Sequence, residues 1–182
     1  VLLINDTYLL PLSKTIRTIA VIGPNAYEQT QLICRYGPAN APIKTVYQGI
    51  KELLPHTEVI YKKGCDIIAP HFPESEILDF PKTAEEVQLM EEAIRAAKQA
   101  EVVVMVLGGN ELTVREDRSR TSLNLPGRQE ELLKAVCATG KPIILVMLDG
   151  RASSINYAAA HIPAILHAWF HAELWRQAVA EA

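Results

Sequence analysis

Three short runs of unbroken, mostly branched apolar residues restrict this chain more than any other feature: Thr18-Ile19-Ala20-Val21-Ile22, Val102-Val103-Val104-Met105-Val106-Leu107 and Ile143-Ile144-Leu145-Val146-Met147-Leu148. A strand with one face in water alternates apolar and polar residues. Continuous hydrophobicity over five or six residues instead suits a strand covered on both faces, the condition of a parallel sheet sandwiched by helices. Glu58 to Tyr61 and Ala164 to His167 are weaker candidates of the same kind. The longest of these runs is too short to cross a bilayer, so no membrane span is expected.

Between the runs lie stretches with helical character, roughly Thr45 to Leu54, Thr83 to Gln99, Arg128 to Ala138, Ser153 to Ala159 and Ala172 to Ala182. Thr83 with Glu86 has the spacing of a capping box, and Gly140 with Pro142 is a stop signal after the third helix. Ser153 and Ser154 read as the N-cap of the fourth, since no G-x-S-x-G elbow surrounds them. The resulting β-α alternation predicts a flavodoxin-like α/β fold: a doubly wound, mainly parallel five-stranded sheet in the order 2-1-3-4-5, with helices on both faces. At 182 residues, one domain over 16–182 preceded by an entry linker over 1–15 accounts for the chain.

In such sheets ligands bind beyond the carboxyl ends of the strands, where the winding reverses, here between the first and third strands. The loops at that point are Gly23-Pro24-Asn25-Ala26 and the segment from Gly108 to Arg120. The second carries Glu111, Glu116 and Asp117 with Arg115, Arg118 and Arg120, three carboxylates and three guanidiniums within ten residues. Close cations can hold and tune an acid. The alternative is a solvated loop with exposed ion pairs, as most such clusters are. The long Pro-rich stretches Gly23 to Pro42 and Gly64 to Pro81 are further places to look for contacts.

Other chemistries find less support. A net charge of −3 and the lack of a basic, aromatic-studded run argue against nucleic acid. Neither G-x-G-x-x-G nor G-x-x-x-x-G-K-[ST] occurs, so flavin or nucleotide binding would rest on fold analogy alone, and no cofactor is expected. Cys34, Cys65 and Cys137 are too widely spaced for a disulfide framework or a zinc site and read as buried thiols. His161, His167 and His171 lack an acidic partner at ligand spacing, so no metal is expected. Trp169 and Phe170 follow the fifth strand and are candidates for a sugar platform, although core or interface roles are commoner there.

Several segments carry a family likeness. Leu125-Pro126-Gly127-Arg128-Gln129-Glu130-Glu131-Leu132-Leu133, running on through Gly140-Lys141-Pro142-Ile143-Ile144-Leu145-Val146 to Gly150-Arg151, resembles the second domain of family 3 glycoside hydrolases. Asn5-Asp6 with Leu9-Leu10-Pro11-Leu12 is similar to the linker entering that domain, Ile19 to Ala26 to its first strand and loop, and Pro163 to Phe170 to its fifth strand. The resemblance covers nearly the whole chain in the family's order. It implies a retaining β-glucosidase or β-xylosidase whose aspartate nucleophile lies on a preceding barrel domain. It also implies a glutamate acid/base in the loop after the third strand.

Carried onto this sequence, the resemblance makes Glu116 the acid/base and Glu111 the runner-up, with Arg118, Arg120 and Asn110 as sugar-binding positions. Arg115 and Asp117 stand where the family often has glycines. The expected partners are the barrel domain and a β-linked glucoside or xyloside. Without the barrel the expected behaviour is an inactive domain, the alternative being a non-catalytic scaffold or interaction module. The face that meets the barrel could also pair with a second copy. The family continues from W-F with P-G-E and glycines, whereas here His171-Ala172-Glu173-Leu174-Trp175-Arg176-Gln177-Ala178 follow. Losing helix breakers favours a final helix by roughly 1 kcal/mol per glycine. An excised, redesigned domain, soluble and derived from a secreted or periplasmic parent, is the matching expectation.

Overall fold

The computed structural model describes residues 1–28 and 44–169, together with Val179 and Glu181. Among them six strands form one sheet: β1 (Leu2–Asn5), β2 (Thr18–Ile22), β3 (Glu58–Lys62), β4 (Val102–Gly108), β5 (Ile143–Leu148) and β6 (Ala164–Ala168). Their order is β1-β6-β5-β4-β2-β3. The five strands β2 to β6 are mutually parallel wherever they pair. They stand in the expected 2-1-3-4-5 arrangement, so the winding reverses between β2 and β4.

The sheet has one strand more than expected. Leu2–Asn5, read from sequence as linker, runs antiparallel along β6. Its residues are half-buried or exposed, as befits an edge strand covered on one side only. The backbones of Val1 and His167 exchange two hydrogen bonds at 2.9 and 2.8 Å. Every residue of the central strands β4 and β5 is buried, which is why their sequences are continuous rather than alternating.

Among the described residues four helices pack on the sheet: α1 (Val46–Leu53), α2 (Ala84–Gln99), α3 (Gln129–Cys137) and α4 (Asn156–His161). Alternate strand residues divide the core in two. Ala20, Ile22, Val103, Met105, Leu145 and Met147 meet α2, α3 and α4 through Ala93, Ala97, Leu132, Val136 and Ala158. On the opposite face Ile19, Val21, Val104, Val106 and Val146 meet Val46 and Ile50 of α1, with Leu10 of the N-terminal segment. Both α1 and α2 begin with complete capping boxes, Thr45 with Gln48 and Thr83 with Glu86. Such an N-cap is worth about 1 kcal/mol.

The fourth helix starts later than Ser153. No side chain caps it, and it begins at Asn156. Ser153 Oγ instead donates to Asp149 Oδ2, and the Ser154 N–H donates to Leu123 O at 2.7 Å. Both serines therefore serve the loop after β5. Cys65 is buried, whereas Cys137 is half-buried; both are free thiols. Cys34, Phe170, His171 and, apart from Val179 and Glu181, the helix expected over Ala172 to Ala182 lie outside the described residues.

Candidate functional site

The carboxyl ends of β2, β4 and β5 lead into three loops that are laced together. After β2, Gly23 turns the chain at φ +130°, and a Cβ there would lie 2.2 Å from Val106 O. The strands approach too closely for a side chain at that point. Asn25, 2% exposed, donates from Nδ2 to Gly109 O at 3.2 Å and so ties the first loop to the second. Asn110 Nδ2 lies 3.4 Å from Glu28 Oε2 and makes a second tie.

At the end of β4 the backbone of Gly108 is held by a buried amide. Gln129, the first residue of α3 and fully buried, accepts from the Gly108 N–H through Oε1 and donates to Gly108 O through Nε2, both at 2.8 Å. Primary amides are suited to this reciprocal grip because they carry one acceptor and one donor side by side. The motif containing Gln129 was visible in the sequence, but its target lies 21 residues upstream.

Beyond Gly108 the loop folds on itself. Asn110 is 5% exposed; its Oδ1 accepts from Leu112 N at 2.9 Å and its carbonyl accepts from Thr113 N and Val114 N. The amide named as a sugar contact is thus engaged within the loop and with Glu28. Arg115 Nε lies 3.7 Å from Glu111 and 3.3 Å from Asp117, so one guanidinium serves both carboxylates. Residues 115–118 form a turn closed by Arg118 N to Arg115 O at 3.1 Å, which puts Glu116 and Asp117 at its tip. Glu116 is exposed. Among the described residues it takes part in no ion pair or side-chain hydrogen bond. Arg118, two residues on, is exposed as well.

Arg120 is placed quite differently. Its Nε meets Glu76 Oε1 at 2.5 Å, and the side chains are 10% and 7% exposed. Glu76 lies in a short 3-10 turn, Glu74–Glu76, inside the long Gly64 to Pro81 stretch. It also accepts from Thr121 N at 3.1 Å and Thr121 Oγ1 at 3.2 Å. Burial pushes the Glu76 carboxyl up, but the Thr121 N–H and the Arg120 guanidinium outweigh it and hold the group below the ordinary glutamate range. Arg120 and Glu76 together anchor the far end of the loop. Glu76 carries no motif that sequence reasoning could use, since its partner is 44 residues away.

The loop after β5 completes the arrangement. Asp149, 2% exposed, accepts from Arg151 N at 3.1 Å and from Ser153 Oγ. Arg151 then reaches the loop after β4, where its Nη2 donates to Arg115 O at 2.6 Å and Arg118 O at 2.7 Å. Next to it lies a cavity of about 270 Å³ lined by Leu3, Met147, Arg151, Ser153, His167 and Trp169. Trp169, 44% exposed, stands at its rim and meets the His167 ring edge-on. His161 stacks on Tyr157 some distance along the chain, with ring centres 4.1 Å apart. Among the described residues no group of three or more His, Cys, Asp or Glu could hold a metal ion.

The arrangement is thus an exposed carboxylate at the tip of a loop fixed at its root, flank and far end by buried polar contacts. A family model, the glycosyl hydrolase family 3 C-terminal domain, matches residues 1–182. A beta-xylosidase of Formosa agariphila is 39% identical over 178 residues, spanning 93% of this chain and 22% of that protein. A periplasmic beta-glucosidase of Salmonella typhimurium is 36% identical over 183 residues, spanning 93% and 23%. Among solved structures, a β-glucosidase from Erythrobacter marinus superposes with a TM-score of 0.82 at 33% identity, over 99% of this chain and 26% of that one. A GH3 exo-β-xylosidase in complex with a xylobiose aziridine probe gives a TM-score of 0.82 at 26% identity, over 100% of this chain and 22% of that one. The chain therefore spans about a fifth of the curated relatives it matches.

Proposed function

The chain belongs to the glycosyl hydrolase family 3 C-terminal domain family, and from that premise we propose that it supplies the general acid/base, Glu116, to a retaining β-glycosidase acting on β-linked glucosides or xylosides. The observation that carries this reading is the division of labour among the loop's carboxylates. An acid/base must be protonated when the leaving oxygen departs and ionised when it later takes a proton from water. Glu111 and Asp117 are both drawn onto Arg115. Glu116 sits exposed at the turn's tip, where no ion pair among the described residues holds its carboxylate back from an approaching glycosidic oxygen.

Retaining hydrolysis needs a second carboxylate about 5 Å away on the other side of the glycosidic bond. The longer relatives are named as β-xylosidases and β-glucosidases, and the nucleophile is assigned here to a barrel domain facing the loop. In the first step that nucleophile attacks the anomeric carbon while Glu116 donates its proton to the departing oxygen. In the second, Glu116 accepts a proton from the water that releases the sugar. Arg118, exposed beside the tip, is the candidate for a sugar hydroxyl. Asn110 and Arg120 act through the loop's shape.

The test is turnover of aryl and alkyl β-glucosides and β-xylosides by this chain with and without a separately supplied family 3 barrel. The chain alone is expected to be inactive and the pair active. Glu116→Gln in the pair should lower kcat/KM on alkyl glycosides by about 10²- to 10⁴-fold. Turnover by the isolated chain that survives Glu116→Gln would sink the assignment. No turnover even with the barrel would favour a non-catalytic scaffold.

A further inference from the structure

The geometry points to Arg151 as a positioning residue for the acid/base: one guanidinium nitrogen grips both ends of the turn that carries Glu116. This rests on the reading of Glu116 above and adds a residue to which no role has been given. Glu116 occupies the second place of the four-residue turn 115–118. The carbonyls of the first and fourth residues, Arg115 and Arg118, both accept from Arg151 Nη2, at 2.6 and 2.7 Å. A turn held at both outer carbonyls cannot open or rotate without losing both bonds. The turn that carries Glu116 is thereby held from the loop after β5.

Three further observations show that Arg151 is oriented for this purpose. Its Nε is buried and has no hydrogen-bond partner among the described residues, so the bonds Arg151 makes to the turn run through Nη2. Its own backbone is fixed by Asp149, whose carboxylate accepts from the Arg151 N–H and from Ser153. The two loops also share backbone bonds, Gly109 N to Leu148 O at 3.0 Å and Ser154 N to Leu123 O at 2.7 Å. The turn therefore hangs on the rigid end of β5. Arginine suits the task because it stays charged at all working pH values and donates in a fixed plane.

A residue that aims an acid has a kinetic signature that a merely structural residue lacks. Protonation assistance matters for an alkyl leaving group and hardly at all for 2,4-dinitrophenolate, which departs unprotonated. The experiment compares kcat/KM on methyl or disaccharide β-glycosides with that on the 2,4-dinitrophenyl glycoside, in the enzyme assembled from this chain and its barrel. The variants are Arg151→Met and, as reference, Glu116→Gln. Taking the ratio of the two substrates within one sample cancels any loss of folded protein.

Arg151→Met should lower the alkyl-to-dinitrophenyl ratio by about tenfold or more, in the same direction as Glu116→Gln and to a smaller extent. A ratio that falls for Glu116→Gln but not for Arg151→Met overturns the positioning role and leaves the acid/base assignment standing. A ratio unchanged in both variants, or no turnover by the assembled enzyme, overturns the acid/base reading and this inference with it.

Discussion

Replacing Gln129 by methionine tests the idea that a buried amide fixes the point where β4 enters the candidate loop. Methionine keeps the length and most of the volume of the side chain and removes both hydrogen bonds to Gly108, made at 2.8 Å. The Gly108 N–H and carbonyl would then be buried without these partners, at about 2 kcal/mol each. Burying a thioether in place of an amide offsets about 1 kcal/mol. The net loss is about 3 kcal/mol, equivalent to a fall in Tm of roughly 6 to 12 °C for a chain of this size. Urea unfolding followed by far-UV circular dichroism measures it, with an unchanged m-value as the sign that only stability has moved. A companion variant, Gln129→Glu, sharpens the test. Ionised, it can accept from the Gly108 N–H but sets a second acceptor against the Gly108 carbonyl; protonated, it can donate. Its folded-state pKa should therefore be raised, and its stability relative to the parent chain should improve as pH falls. A loss below about 1 kcal/mol for Gln129→Met, or a Gln129→Glu variant whose relative stability does not improve in acid, would refute the reasoning.

Two other expectations concern the ends of the same loop. The Glu76 carboxyl is held below its ordinary value, so its contribution is complete above the unfolded glutamate range and is lost as pH falls through the depressed folded value. Glu76→Gln should destabilise the chain at neutral pH by about 2 to 4 kcal/mol, because Arg120 is left buried without its counter-ion. It should also flatten the decline in stability below about pH 4, both read from denaturation curves across pH. Gly108→Ala places a Cβ 1.9 Å from Leu148 O at φ +128°. The resulting strain and displacement of the β4–β5 ladder should cost about 3 kcal/mol or more, and an alanine variant as stable as the parent would show that the strands can separate freely there.

The parts of the fold legible in the sequence are those whose physics is local. Val102 to Leu107 and Ile143 to Leu148 are apolar throughout because both faces are covered, and Thr83 with Glu86 spells a cap within four residues. Leu2–Asn5 escaped because an edge strand needs only one partner and one covered face, which four residues do not advertise. Ser153 and Ser154 precede a helix, as caps do, yet a buried Asp149 and the carbonyl of Leu123 claim them first. In the loop after β4 the charges were legible as a cluster, but not the distinction among them. Arg120 is buried on Glu76, Arg115 is shared by Glu111 and Asp117, and of the three carboxylates Glu116 alone is left at the tip without such a contact. Glu76 and Arg151 come from 40 residues upstream and 35 residues downstream of Glu116. No spacing rule links positions that meet only after the sheet has formed.

The reversed polarity of β1 also bears on how a multidomain enzyme would be wired. Because β1 runs against the other five strands, its first residue lies beside Leu166, with Val1 bonded to His167, at the same end of the sheet as the loops after β4 and β5. In a longer polypeptide of this family, a domain joined ahead of β1 would therefore be leashed at the end of the sheet that carries the loop of Glu116. A leash of that kind raises the local concentration of the attached domain to roughly millimolar. Weak contacts between the two surfaces then suffice to assemble a site divided between them.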